Sequence, residues 1–166
     1  MSAAQKLDPS HPFLNSKVIL NISNGVTETL KTMAQTDAFF EKPYVVKDWK
    51  APTDITVFLE LKSDPYLGQV RFHFDKSVAK GILEKMLGSA VSDNDLSEIL
   101  DGVGEISNIF FGVAKTKLNL IGFKLEMSVP HPVKSEDLPV TIGDKTCLVI
   151  PFRVDQTLCF IEMILY

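Results

Sequence analysis

The sequence predicts an α+β domain in which long helices pack on a largely antiparallel sheet. Three observations predict this class: two well-separated helical periodicities, two pairs of strand-like runs joined by turns, and the same α–β–β–β order in both halves. With 166 residues, 45% of them hydrophobic, the chain is long enough to bury one core. We expect an N-terminal tail (1–12) and a single domain (13–166), with pseudo-symmetric halves at about 13–88 and 92–166.

The first half begins with a helix in residues 11–37 and continues into a hairpin in residues 54–75. The apolar residues of the helix follow an i, i+4 progression along one face: Val18, Ile22, Val26, Leu30 and Met33. The hairpin consists of two apolar runs around the segment KSDPYLG, whose Asp, Pro and Gly favour a turn. A short strand, PYVV, precedes it.

Two further helices are predicted in the middle of the chain. The first spans 75–88 and ends at Gly88, since glycine is the usual residue after a helix C-terminus. The second spans 92–122 and is the longest in the chain. It opens on three good N-capping residues, Ser-Asp-Asn at 92–94.

The second half ends in strands. Residues 123–130 form a predicted strand stopped by Pro130 and Pro132, and residues 145–166 form a second hairpin. Pro151 lies in the first strand of that hairpin, where it removes a backbone donor. We therefore expect this strand to be an edge strand or to carry a bulge.

The two halves carry a weak internal repeat with a period near 84 residues. Residues 19–33 and 102–118 share the letters Ile-Ser-Asn, and each segment is followed by a short strand and then by a pair of strands. The copies differ at one polar position, because the second has Glu105 where the first has Asn21.

Charge and hydropathy exclude several classes of partner. The net charge is −4 and no run of Lys or Arg exceeds two residues, so we expect neither nucleic-acid nor anionic-membrane binding. No apolar stretch approaches the ~20 residues of a spanning helix, and the start lacks a signal-peptide core, so we expect a cytoplasmic protein without membrane insertion. Cys147 and Cys159 are interpreted as reduced core residues, with a disulfide as the less favoured alternative. The three scattered histidines have no metal-ligand spacing, so no metal site is predicted.

The longest predicted helix presents a polar strip opposite its apolar stripe. At ~100° per residue the apolar stripe contains Leu96, Leu100, Val103, Phe110 and Ala114, flanked by Ile99 and Ile106. Glu105 lies opposite that apolar stripe, and Asn108 lies about 60° from Glu105 around the helix axis. Asp101 and Gly112 belong to the same polar strip. The pair is therefore exposed and adjacent on a rigid element. An ordinary solvated helix face explains the same spacing, and close packing explains the nearby glycines at 102 and 104.

The segment DLSEILDGVGEISNIFFGVAK resembles the helix of the chemotaxis phosphatases of the CheC/CheX/FliY family. The signature of that helix is an acid, two spacer residues and an asparagine (E-x-x-N), here Glu105 and Asn108. One intact motif, in the second half, is more similar to the CheX members than to CheC. Asn21 and Asn24 occupy the matching place in the first half, where they form a possible degenerate second site.

The resemblance implies a protein phosphatase that hydrolyses the aspartyl phosphate of a CheY-like response regulator. It implies that Asn108 is catalytic and orients the attacking water, and that Glu105 pairs with a lysine of the regulator. Because Asp101 and Gly112 share the exposed strip, we expect them to contact the partner as well. The resemblance implies no cofactor in this chain, Mg²⁺ in the regulator, and a homodimer joined through sheet edges. The alternative is a non-catalytic CheX-like binding or scaffold domain in a signalling or flagellar complex.

Overall fold

The computed structural model describes residues 10–138 and 146–165. Two turns of 3₁₀ helix, Pro12–Leu14 and Ser135–Asp137, accompany the main elements. In chain order these are α1 (Ser16–Ala34), β1 (Ala38–Phe40), β2 (Tyr44–Lys47), β3 (Ile55–Ser63), β4 (Tyr66–Phe74), α2 (Lys76–Leu87), α3 (Leu96–Leu120), β5 (Glu126–Met127), β6 (His131–Lys134), β7 (Thr146–Val154) and β8 (Thr157–Leu165). Among the described helices, none has the length and hydropathy needed to cross a bilayer.

The strands of the described residues form one eight-stranded antiparallel sheet, which confirms the predicted fold class. Its order is β1-β7-β8-β4-β3-β5, with β2 also pairing β7 and β6 also pairing β3. The two long hairpins, β3–β4 and β7–β8, meet at the centre where β4 pairs with β8. The short strands of each half pair with the hairpin of the other half. Each half therefore supplies the outer strands that complete the sheet of the other.

The helices α1, α2 and α3 cover one face of this sheet, with an aromatic core between them and the strands. Phe72 of β4 places its ring against Phe110 and Phe111 of α3, at centroid distances of 5.4 and 5.7 Å. The helices α1 and α3 cross closely, because a Cβ at Gly25 would lie under 3.0 Å from the Phe110 carbonyl oxygen. Glycine is thus required in α1 at the point where the two long helices meet.

The beginning of α3 and the environment of Pro151 differ from the sequence prediction. The N-cap of α3 is Asp95, whose carboxylate accepts a hydrogen bond from the Glu98 amide at 3.0 Å. The capping residues proposed at 92–94 therefore lie before the helix. The strand β7 is internal rather than an edge, because it pairs with β8 on one side and with β1 and β2 on the other. Pro151 lies opposite the gap between β1 and β2. Its missing amide hydrogen thus removes no ladder bond at that point.

The strand predicted at 123–130 is also shorter than expected. Only Glu126–Met127 pairs there with β3. Pairing then resumes at His131–Lys134, which includes Pro132, so this proline belongs to an outer strand instead of stopping one. The polar segment KSEDLPVTIGDK, at 134–145, predicts a surface loop, and its residues 139–145 lie outside the described residues.

Both cysteines are buried and free, as their apolar surroundings in the sequence indicate. Cys159 belongs to the main core beneath the helices, whereas Cys147 packs in a smaller cluster with Val149, Phe160 and Ile164. In the β7–β8 ladder Cys147 is opposite Ile164 and Cys159 is opposite Phe152. Five register positions separate the two thiols, which is too far for a disulfide.

Replacing Gly25 by alanine is expected to lower the free energy of unfolding by about 1–3 kcal/mol, because the new methyl group collides with backbone of α3. Urea denaturation measures this difference. Gly81 is the matched control, because it lies inside α2 with no atom within 4 Å of an added Cβ. We expect Gly81→Ala to raise stability by about 0.5–1 kcal/mol. Equal effects at the two positions would contradict the close crossing of the helices.

Candidate functional site

The polar strip of α3 lies on the surface. Asp101, Glu105, Asn108 and Gly112 are all exposed, and they follow one another at intervals of three or four residues along one side of the helix. The opposite side is buried, with Ile99, Val103, Ile106, Phe110 and Ala114 in the core. Leu96 and Leu100, also predicted for the core stripe, are only partly buried. The structure thus brings the four predicted site residues together on one rigid face.

The three glycines around the strip have different roles. A Cβ at Gly102 would collide with the side chain of Leu83 in α2, and a Cβ at Gly104 would lie 3.2 Å from Pro132 Cγ in β6. These two glycines allow close packing of α3 against its neighbours. Gly112 is different, since no atom lies within 4 Å of an added Cβ. It leaves an open place on the exposed strip one turn beyond Asn108.

A groove of about 620 Å³ lies beside the Glu105–Asn108 pair. One wall is the polar strip of α3, and the other is the connection from β5 to β6. The lining residues are Asp101, Gly104, Glu105, Asn108, Met127, Ser128, Val129, Pro130 and Pro132. The first wall carries acidic and amide groups and the second is mostly apolar. The site is therefore a cleft with two chemically different sides rather than an isolated helix face.

The side chains of the pair are available for an external partner. Neither Asp101 nor Glu105 forms an ion pair with a residue in the described ranges 10–138 and 146–165. The side-chain amide of Asn108 likewise makes no hydrogen bond within the described part of the chain. An amide can donate and accept at once, and a carboxylate accepts from cations.

The corresponding pair in the first half has different surroundings. Asn21 and Asn24 are half-buried on α1. The Asn21 amide nitrogen donates to the Lys17 carbonyl oxygen at 2.8 Å, so it is engaged within its own helix. This position also lacks the negative charge that Glu105 contributes to the second half.

A buried polar network, which was not predicted from the sequence, lies on the face of the sheet away from α3. His73 Nε2 is 3.0 Å from Glu162 Oε2, and its Nδ1 is 2.9 Å from the hydroxyl oxygen of Thr56. The Arg71 guanidinium lies 3.6 Å from the same carboxylate. The signal was the alternation of Gln69, Arg71 and His73 along β4, which puts three polar groups on one face.

This network resembles a hydrolytic triad in composition but is closed to substrate. Thr56, His73 and Glu162 are 0%, 2% and 4% exposed. A nucleophile must reach its substrate, so these buried residues are not a second active site. The thiols are also unsuited to nucleophilic chemistry, because burial raises the pKa of both Cys147 and Cys159 to about 12.

The pKa of His73 is lowered by burial, which disfavours the charged imidazolium. The Glu162 carboxylate opposes this effect, while Arg71 adds to it. No group of three or more His, Cys, Asp or Glu side chains among the described residues is arranged to hold a metal ion.

Comparison with solved structures places this architecture among the CheC-like and CheX proteins. A CheC-like superfamily protein from Shewanella sp. PV-4 is 26% identical, with a TM-score of 0.80 over 92% of this chain and 99% of that one. The chemotaxis protein CheX from Vibrio vulnificus is 28% identical, with a TM-score of 0.78 over 91% of this chain and 100% of that one. The family model described as chemotaxis phosphatase CheX matches residues 55–153. The chain belongs to the CheX family.

One further similar structure was solved with another protein bound. It is the CheX–CheY–BeF3–Mg²⁺ complex from Borrelia burgdorferi, whose matching chain is 19% identical with a TM-score of 0.70, over 89% of this chain and 97% of that one. At this identity the likeness establishes the fold. No curated protein matches the sequence.

The lowered pKa of His73 predicts a pH dependence of stability between about pH 7 and pH 5. The unfolded chain binds a proton at the ordinary histidine pKa of about 6.5, whereas the folded chain binds it only at lower pH. The free energy of unfolding therefore falls as the pH drops through this range, by up to about 1.4 kcal/mol per pH unit. Urea denaturation at several pH values measures the slope.

Variant slopes assign this dependence to one residue. We expect His73→Gln to flatten the slope, because glutamine does not titrate. The exposed His131 lies outside the network, and His131→Gln is expected to keep the wild-type slope. A wild-type slope in the His73→Gln protein would show that His73 does not cause the dependence.

Proposed function

We propose that this CheX-family chain is a phosphatase that hydrolyses the aspartyl phosphate of a CheY-like response regulator. The observation that carries the proposal is the Glu105–Asn108 pair, exposed one turn apart on a helix whose other side is fixed in the core. Family membership supports the reaction, and the Borrelia relative that was solved bound to CheY supports the partner. The alternative, a non-catalytic scaffold, has no separate observation in its favour.

Asn108 is the catalytic residue of the proposed mechanism. Hydrolysis of an acyl phosphate needs an in-line water and neutralisation of the phosphoryl charge, and little covalent help. The Asn108 amide holds the attacking water by accepting one hydrogen bond and donating another. Because the amide is neutral, it does this without adding negative charge beside the phosphoryl group.

Glu105 is the recognition residue. Its carboxylate is exposed and has no ion-pair partner among the described residues, so it is free to receive a lysine of the regulator. A charge-assisted hydrogen bond of this kind fixes the register of the helix in the partner's active site. Asp101, one turn earlier, adds negative charge to the same contact, and the bare backbone at Gly112 allows the partner to approach.

The regulator supplies the remaining chemistry. Mg²⁺ would be held by the regulator, where it would supply neutralisation of the phosphoryl charge, and we propose no cofactor for this chain. The first-half residues Asn21 and Asn24 are assigned no catalytic role, because the pair lacks an acid and Asn21 donates to its own helix.

Substitution of Asn108 by alanine tests the mechanism. We expect Asn108→Ala to slow phosphate release from a ³²P-labelled CheY-like regulator to near the regulator's own rate, a loss on the order of 100-fold, because the water is no longer oriented. We expect Asn108→Asp to be equally slow, because its charge repels the phosphoryl group. Asn94→Ala removes an exposed amide before α3 and is the matched control with wild-type release. Binding of the phosphorylated regulator without release by the wild type would instead support the scaffold.

We further propose a homodimer joined through sheet edges. The outer strands β1 and β2 expose Phe39 and Val45, at 68% and 57% of their surface, and each uses one edge for pairing with β7. An apolar edge of this kind favours pairing with a second copy. We expect Phe39→Asp to convert the dimer to a monomer in light scattering coupled to gel filtration. A monomeric wild type at micromolar concentration would contradict the proposal.

A further inference from the structure

We propose that the β5–β6 connection, Met127–Pro132, is a second recognition wall and that Val129 is its contact residue for the regulator. This inference rests on the proposed function, because the occupant of the groove is the same regulator. The segment faces the Glu105–Asn108 pair across the groove. Its role is therefore to receive the part of the regulator that lies beside the residues engaged by α3.

Val129 is a large apolar side chain that is held out into solvent. It is 75% exposed, although both neighbouring residues are constrained. The Ser128 amide donates to the Glu60 carbonyl oxygen at 3.0 Å, and the Ser128 hydroxyl accepts from the Glu60 amide at 2.9 Å. Pro130 fixes the backbone on the other side. A single exposed valine is ordinary, but one on a constrained segment at the rim of a groove is ready to bind with little loss of entropy.

The width of the groove is set by contact between the two walls. A Cβ at Gly104 would lie 3.2 Å from Pro132 Cγ, so α3 and β6 touch directly at the base. The groove above this contact has a volume of about 620 Å³. The contact between the two walls therefore fixes the position of Val129 relative to Glu105.

The chemistry of the two walls specifies the occupant. Asp101 and Glu105 place two carboxylates on one rim, which favours a cation and disfavours a free anion such as phosphate. The opposite rim offers Val129, Pro130 and Met127 to an apolar group. The complementary partner is a protein segment that carries a lysine beside an apolar side chain. The regulator binds with the lysine on α3 and the apolar side chain on Val129.

Steady-state kinetics separate this role from catalysis. We expect Val129→Ser to raise KM for the phosphorylated regulator by about tenfold, because apolar burial on binding is lost, and to leave kcat unchanged. Val129→Ile keeps the apolar contact and is expected to keep the wild-type KM. Leu87→Ser is the matched control, because Leu87 is 59% exposed at the end of α2 and does not line the groove. The kinetic constants are measured separately with each CheY-type regulator of the source organism.

Calorimetric binding to the BeF3-activated regulator gives the second measurement, with the same tenfold loss expected for Val129→Ser. Unchanged KM and affinity in this variant would overturn the inference and leave the phosphatase proposal standing. A wild type that binds without releasing phosphate would overturn the phosphatase proposal, while the affinity of Val129→Ser still decides the role of Val129. A wild type that neither binds nor hydrolyses would overturn both.

Discussion

The packing of Phe72 against Phe110 and Phe111 is the interaction on which the site depends. These aromatic contacts hold one side of α3 on the sheet, and the crossing at Gly25 holds it against α1. A 25-residue helix fixed along one side has no freedom to rotate. Its other side is then presented in a constant orientation, which is the condition that water-positioning by a side chain requires.

Much of the fold followed from local patterns in the sequence. The hairpins were predicted from apolar runs around turns, and the burial of Val103 and Phe110 followed from helical spacing. The details that were wrong depend on contacts distant in sequence. Pro132 was taken as a stop because its partner in β3, Val57, is 75 residues earlier in the chain. Pro151 was expected at an edge or a bulge because the gap between β1 and β2 is not visible in the local sequence.

The candidate site shows the same division. The adjacency of Glu105 and Asn108 on an exposed strip follows from helical spacing, since both residues belong to one regular element. The opposite wall of the groove comes from a segment about twenty residues further along the chain, which is brought near by the pairing of β5 and β6 with β3 and by the packing of Gly104 on Pro132. The network of Arg71, His73 and Glu162 was missed for a related reason, because Glu162 joins the other two only through the β4–β8 pairing.

The exchange of outer strands between the halves has a consequence for how the chain tolerates change. The hairpin of each half pairs with outer strands from the other half, so the strand pairing must be preserved in both halves. The solvent side of each long helix carries no such obligation. Asn21 of the first half is half-buried and uncharged, whereas Glu105 at the matching position of the second half is exposed and charged. The two halves therefore share one architecture but differ in chemistry, because the buried faces of α1 and α3 maintain the fold while their outer faces carry different polar side chains.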